Sequence, residues 1–136
     1  VYYNGEFKPA NIKTMPYPGF PTDMQPILVS ILALAHGRSK VIENVWTERF
    51  KYVEELKKMG AKIDINGNMA MIEGIESYLP APVCATDLRA GAAMLIASLA
   101  AEGTSEIKDI YHIDRGYEKV IEKIENLGGS IRRVSY

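Results

Sequence analysis

Thr22-Asp23 and Thr86-Asp87 each stand just before a long apolar stretch. A carboxylate there can cap a helix by accepting backbone N–H bonds. Held on a stiff loop, the same group can accept a proton or a hydroxyl hydrogen bond. The loop Tyr17-Pro-Gly-Phe-Pro-Thr-Asp23 is stiff, because prolines 16, 18, 21 and 26 crowd it. Each fixes its own φ and restricts the residue before it. Thr22 or Asp23 is expected to cap the following helix, with Pro26 in its first turn. Arg49, Arg89 and Arg115 are read in first turns of helices, where a cation opposes the helix dipole. Their placement makes better sense as an anion site, since free backbone N–H groups point the same way. Taken singly, each arginine also fits a solvated residue or a weak ion pair. Both readings of the carboxylates and of the arginines stay open on these grounds.

Other reactive side chains give less. His112, in Tyr111-His-Ile-Asp-Arg-Gly-Tyr117, reads as a hydrogen-bonded structural group near a turn. Cys84 reads as a buried, inert thiol, because no basic neighbour in sequence would activate it. Trp46 reads as a core or edge residue at a strand end. One cysteine and two histidines exclude an internal disulfide framework, a cysteine zinc site and most metal centres. No phosphate-binding glycine loop, dinucleotide fingerprint, paired metal-ligand motif or basic-aromatic stripe is present.

The elements that position these groups come in two copies. The Thr-Asp pairs, the glycines after the apolar stretches (Gly37, Gly103), the arginines Arg49 and Arg115, and the glycines Gly60 and Gly128 recur at offsets of 64 to 68 residues. Each copy reads as helix, strand, helix, strand. The first helices hold Ile27 to Leu34 and Ala90 to Ala101; both are apolar nearly all round, so they must be buried, with the sheets outside them. Strands are expected at Lys40–Trp46 and Glu106–Tyr111. The second helices are one-sided, with Phe50, Val53, Leu56 and Met59 in one copy and Tyr117, Val120, Ile121, Ile124 and Leu127 in the other. Gly60 and Gly128 suit their left-handed ends. Short strands follow at Ala61–Ile65 and Ser130–Val134, and Asn66-Gly67 signals a hairpin into Met69, Met71 and Ile72. The units are residues 17–76 and 81–136. Residues 1–16 read as the tail of a preceding unit, with Val1-Tyr2-Tyr3 a strand end and Lys8–Thr14 extended. The fold class is α/β (α+β) with mixed sheets.

The 136 residues are 47% hydrophobic and 24% charged, with 16 Lys plus Arg against 17 Asp plus Glu. That composition excludes disorder, and a net charge of -1 gives no global attraction to nucleic acid or anionic membranes. Ala90–Ala101, the longest nearly apolar run, is too short to span a bilayer. No signal peptide is visible and Val1 opens the chain without methionine, so a cut or processed end and a reducing, cytoplasmic setting are expected.

Three stretches carry a resemblance: Pro-Gly-Phe-Pro-Thr-Asp-Met-Gln (18–25), Thr-Asp-Leu-Arg-Ala-Gly-Ala-Ala (86–93) and Tyr-His-Ile-Asp-Arg-Gly-Tyr-Glu (111–118). Together they resemble the C-terminal part of the enolpyruvyl transferase family, on the UDP-N-acetylglucosamine 1-carboxyvinyltransferase branch, over essentially the whole chain. The resemblance implies an inside-out α/β barrel of repeated two-helix, four-strand units. It implies transfer of the enolpyruvyl group of phosphoenolpyruvate to the 3-hydroxyl of UDP-N-acetylglucosamine, with release of phosphate, at the start of peptidoglycan precursor synthesis. By that resemblance Asp23 matches the general base at the hydroxyl and Val45 a backbone contact to the UDP-sugar. Arg49, Arg89 and Arg115 match the arginines that gather phosphoenolpyruvate, and Asp87 and His112 match further site positions. Glu48 departs from the family's usual asparagine and places a negative charge beside Arg49. The family's loop cysteine (or aspartate), its N-terminal lysine and another loop arginine have no counterpart in this sequence, and Cys84 does not match in context. The remainder of the polypeptide, with a second domain carrying that loop, is thus implied as a partner, and no metal or organic cofactor is. The alternatives are a 3-phosphoshikimate 1-carboxyvinyltransferase relative, against which the first and third motifs argue, and a non-catalytic binding or structural module.

Overall fold

A computed structural model describes residues 2–135. Two β-α-β crossovers organise it. In the first, β1 (Asn11–Lys13) runs parallel to β2 (Arg38–Ile42), with α1 (Gln25–Leu32) between them. In the second, β5 (Pro82–Cys84) runs parallel to β6 (Glu106–Lys108), with α3 (Leu88–Ala100) between them. The first sheet continues with the hairpin β3 (Lys62–Asn66) and β4 (Met69–Glu73), giving the order β1-β2-β4-β3. The second sheet has two strands among the described residues. The segment before the first helix therefore supplies an edge strand, β1, to the first sheet. Val1, read as part of a strand end, lies outside the described residues; Tyr2 and Tyr3 are not in a strand.

The two apolar helices pack on each other, as their composition requires. No residue of α1 is exposed, and Ala90, Ala93, Met94 and Ala97 of α3 are wholly buried. Ser30 escapes an unpaired hydroxyl inside this layer by donating to the Ile27 carbonyl at 2.6 Å. The amphipathic helix of the first unit opens as a 3-10 turn (Arg49–Tyr52) and continues as α2 (Val53–Lys58). Its apolar stripe is buried as read: Phe50, Val53, Leu56 and Met59 all sit in the core. Gly60 closes it with φ +90°, the left-handed conformation that glycine adopts without a Cβ penalty.

Several expected boundaries differ. The strand read as Lys40–Trp46 stops at Ile42, because the Glu43 carboxylate takes the Val45 and Trp46 N–H groups that would have joined the ladder. The strand read as Glu106–Tyr111 stops at Lys108, and Asp109 turns at φ +56°. A separate short helix, α4 (Tyr111–Asp114), comes first; the second amphipathic helix, expected to open at Arg115, begins only at α5 (Val120–Asn126), after Lys119 at φ +50°. Its stripe is only half covered, and Leu127 is exposed. Ser130–Val134 forms no strand, since no counterpart of β4 exists among the described residues to pair with it. The hairpin is present, with its two-residue turn at Gly67-Asn68, one position later than Asn66-Gly67. Among the described residues no helix is long and apolar enough to cross a membrane.

Candidate functional site

Asp23 sits in the 3-10 turn Thr22–Met24 that leads into α1. It caps nothing: the N-cap of α1 is Met24, and no side chain accepts its N–H groups. This corrects the capping role expected of Thr22 or Asp23. The carboxylate instead faces two arginines. Arg49 Nη2 donates to Asp23 Oδ1 at 3.0 Å, and Arg89 Nη2 donates to Asp23 Oδ2 at 3.2 Å. One carboxylate from the first unit thus gathers a guanidinium from each unit. Asp87 follows the capping reading. Its Oδ1 accepts from the backbone N–H of Arg89 and of Ala90, both at 2.9 Å, and so caps α3. The two repeat-related aspartates have diverged, one into a cap and the other into an ion-pair centre.

The arginines differ in how they are held. Arg49 is 6% exposed and lies under the Trp46 ring, its Cζ 4.2 Å from the ring centroid. Such a cation–π contact strengthens as water is removed. Trp46 is thus a lid on Arg49, which the core-or-edge reading missed. The Arg49 Nε is buried with no hydrogen-bond partner among the described residues, so a donor remains free at the site. Arg89, in the first turn of α3, also donates from Nη1 to the Tyr117 hydroxyl at 3.3 Å. The Tyr117 oxygen and the nearby Asp23 raise its pKa, so it stays charged. Arg115 lies at the C-terminal end of α4, not in the first turn of a helix as expected. Its side chain is exposed and makes no hydrogen bond or ion pair among the described residues, so the structure does not bring it to Asp23; only its backbone N–H is engaged, by the Tyr111 carbonyl at 3.3 Å. Ile113 anchors α4 against α3 at Gly91.

His112 stacks beside Tyr111, with ring centroids 4.2 Å apart. Its Nδ1 is buried with no partner, which contradicts the hydrogen-bonded structural role read for it. Val45 is exposed, and its backbone N–H is held by Glu43 Oε1 at 3.0 Å. Glu48 turns to Lys51 at 2.5 Å, which offsets the charge it puts next to Arg49 and lowers its own pKa. Cys84 is half-buried, less shielded than expected, and its N–H donates to Glu55 Oε2 at 2.9 Å.

Two contributors went unread in the sequence. Tyr117 looked like one position in an apolar stripe, and its hydroxyl use depends on α4 and α3 meeting. Glu43 did carry a signal: a charge directly after Val41-Ile42 in a strand. It is 1% exposed and accepts five hydrogen bonds.

Asp23 remains about half exposed with both oxygens engaged by guanidinium groups. Such a cluster can take a small dianion in two-pronged contacts, with the carboxylate left beside it as a proton acceptor. No group of three or more metal-ligating side chains is found among the described residues.

The sequence profile of EPSP synthase (3-phosphoshikimate 1-carboxyvinyltransferase) matches residues 2–124. The chain belongs to this family. It is 57% identical over 134 residues, 98% of its length, to UDP-N-acetylglucosamine 1-carboxyvinyltransferase 3 of Caldanaerobacter subterraneus subsp. tengcongensis, covering 32% of that protein. It is 56% identical, over 99% of its length, to UDP-N-acetylglucosamine 1-carboxyvinyltransferase 2 of Carboxydothermus hydrogenoformans, covering 32% of that protein. The chain thus spans about a third of the length of the curated relatives it matches. Among solved structures, the enolpyruvyl transferase NikO from Streptomyces tendae superposes with a TM-score of 0.89 at 29% identity, over 98% of this chain and 31% of that one. EPSP synthase from Acinetobacter baumannii superposes with a TM-score of 0.53 at 17% identity over 62% of this chain, which is a likeness of fold alone. These enolpyruvyl transferases have the mixed α/β content expected from the sequence.

Proposed function

We propose that the chain works as the C-terminal portion of a transferase that moves the enolpyruvyl group of phosphoenolpyruvate to the 3-hydroxyl of UDP-N-acetylglucosamine, in peptidoglycan precursor synthesis in the cytoplasm. The observation that carries this reading is the single carboxylate, Asp23, flanked by Arg49 and Arg89 drawn from the two repeat units. Asp23 takes the proton of the sugar hydroxyl as its oxygen bonds to C2 of phosphoenolpyruvate. C3 gains a proton as that bond forms; C3 then loses one as the bond from C2 to the phosphate oxygen breaks, which restores the double bond and releases inorganic phosphate.

Arg49, Arg89 and Arg115 hold the carboxylate and phosphate of phosphoenolpyruvate in this reading. A guanidinium matches both groups with parallel hydrogen bonds, and the free Nε of Arg49 is one donor waiting for them. Arg115, on the exposed end of α4, swings in when ligand arrives. Val45 contacts the UDP-sugar through its backbone, and Asp87 and His112 line the same cleft. The buried α1–α3 pair, with sheets outside it, supports the inside-out barrel as the architecture of the intact domain. Its units are residues 17–76 and 81–136, with 1–16 the tail of a preceding unit. The remainder of the polypeptide supplies the second domain and its loop, so the 136-residue chain alone has no turnover.

The rival within the family is a 3-phosphoshikimate acceptor. The names of the relatives at 56–57% identity favour the UDP-sugar. Phosphate release from phosphoenolpyruvate by a polypeptide of the relatives' length, with either acceptor, tests the reading. Release with UDP-N-acetylglucosamine and none with shikimate 3-phosphate is expected; the reverse overturns it.

A further inference from the structure

We infer that Glu43, which cannot reach a substrate, is the positioning residue that sets Asp23 against the Val45–Trp46 turn. The inference rests on the transferase reading above. Glu43 follows β2 and is 1% exposed, the most deeply buried carboxylate among the described residues. A carboxylate buried there is strongly unfavourable unless its lone pairs are filled. They are filled, and the donors come from four places. Thr14 at the end of β1 donates to Oε1 at 2.7 Å. Thr22, the neighbour of Asp23, donates to Oε1 at 3.0 Å. The N–H groups of Val45 and Trp46 donate to the same oxygen at 3.0 Å each. Gln25 Nε2, in the first turn of α1, donates to Oε2 at 3.3 Å.

Behind that shell the network is closed. The Gln25 Oε1 accepts from the Tyr52 hydroxyl at 2.5 Å. Burial raises the Tyr52 pKa well above its ordinary value, so the phenol stays protonated and keeps donating. Tyr52 lies in the 3-10 turn that begins with Arg49. Every segment that places a first-unit site residue is therefore tied to one carboxylate: Thr22 for Asp23, the 45–46 turn for Val45 and for the Trp46 ring over Arg49, and Tyr52 for the Arg49 turn. The cluster does not stand alone as a stability device, because a hydrophobic side chain of similar volume would fill the space without five donors converging on it. What the carboxylate adds is a fixed distance between loops that carry the chemistry.

Displacement of a reacting group by about 1 Å can lower turnover about a hundredfold. The test uses the transferase-length polypeptide with phosphoenolpyruvate and UDP-N-acetylglucosamine, comparing Glu43→Gln, Glu43→Asp and Thr22→Val for kcat and melting temperature. Gln keeps an acceptor oxygen at the same reach; Asp keeps the charge and withdraws it by one methylene. A positioning role predicts kcat for Gln within about tenfold of wild type and for Asp at least about tenfold lower than Gln. Thr22→Val, which frees the turn bearing Asp23 without touching the other donors, should lower kcat about tenfold even if neither Glu43 variant folds. Wild-type kcat in all variants that fold, with only a lowered melting temperature, overturns the inference. So does the order Asp above Gln, which would mean that charge matters and reach does not. A wild-type polypeptide with no transfer to the UDP-sugar overturns the functional reading itself, and this inference with it.

Discussion

The Arg89 guanidinium lies 3.2 Å from Asp23 although 66 residues of chain separate them. That contact joins the two repeat units at the one place where their equivalent aspartates have taken different work. Asp87 caps α3, and Asp23, freed from capping, faces Arg49 and Arg89. A duplicated unit usually repeats its caps. A carboxylate placed between two arginines occurs in one copy alone, and it separates the ion-paired aspartate from the capping one.

The arginines should separate in the same way. Arg49 is buried under Trp46 and bonded to Asp23, whereas the Arg115 side chain is exposed and has no bonded partner among the described residues. Arg49→Lys loses the fork, the ring contact and the buried fit, so both melting temperature and phosphoenolpyruvate affinity fall. Arg115→Lys leaves the melting temperature unchanged and lowers affinity or turnover roughly ten- to a hundredfold, since a charge-assisted hydrogen bond contributes about 1.5–3 kcal/mol. UDP-sugar affinity without phosphoenolpyruvate should barely move. Calorimetric titration of both ligands, with a thermal melt, reads all three quantities; a selective UDP-sugar defect in Arg115→Lys would remove Arg115 from the anion site.

Asp87→Ala should lower stability by about 1 kcal/mol, because two N–H groups at the start of α3 lose their acceptor. Asp87→Asn should leave it nearly unchanged, as asparagine caps equally well. Denaturant titration measures both. If Asn is as destabilising as Ala, capping does not explain Asp87.

Gly91→Ala should be destabilising by about 1–3 kcal/mol. A Cβ there would lie 2.5 Å from Ile113 Cγ1, and Ile113 anchors α4, which carries His112 and Arg115. The expected signature is a lower unfolding midpoint together with weaker phosphoenolpyruvate binding. An unchanged midpoint would show that α4 yields freely.

Arg133 donates to both oxygens of Asp114, at 2.6 and 2.8 Å, and holds its carboxyl below the ordinary aspartate value. A depressed folded pKa adds stability that is complete above the unfolded pKa, about 3.9, and is lost as pH falls through the folded value. The pair is exposed on both sides, so the gain is small. Arg133→Gln should therefore melt slightly lower than wild type at pH 7, with the gap closing below about pH 4. A gap that persists in acid would assign it to packing.

Much of this arrangement was written in the residues. The all-apolar faces of α1 and α3 fixed their burial, and the Phe50–Met59 stripe its inward side, since both depend on local periodicity alone. Arg49 and Arg115 were visible as a pair because they recurred, and Arg89 by its place two residues after Asp87. What the sequence concealed depends on tertiary meetings. That Asp23 would face Arg49 and Arg89, and Asp87 its own helix, turns on a few ångströms at each turn. Lys119 in a left-handed conformation breaks an apolar repeat that had no glycine to announce it. Glu43 ends β2 early by capturing N–H groups that a propensity argument gives to the strand.

Acceptance of the hydroxyl proton by Asp23 is the step on which the proposed function turns. The measurement that meets it most directly is the rate of phosphate release by Asp23→Asn in the transferase-length polypeptide, with phosphoenolpyruvate and UDP-N-acetylglucosamine. Asparagine keeps an oxygen for Arg49 and should preserve the fold, but it cannot take a proton, so the rate should fall about a hundredfold or more with the melting temperature nearly unchanged. A near-normal rate from a folded Asp23→Asn protein would contradict the account and leave Asp23 as no more than a counter-charge for two arginines.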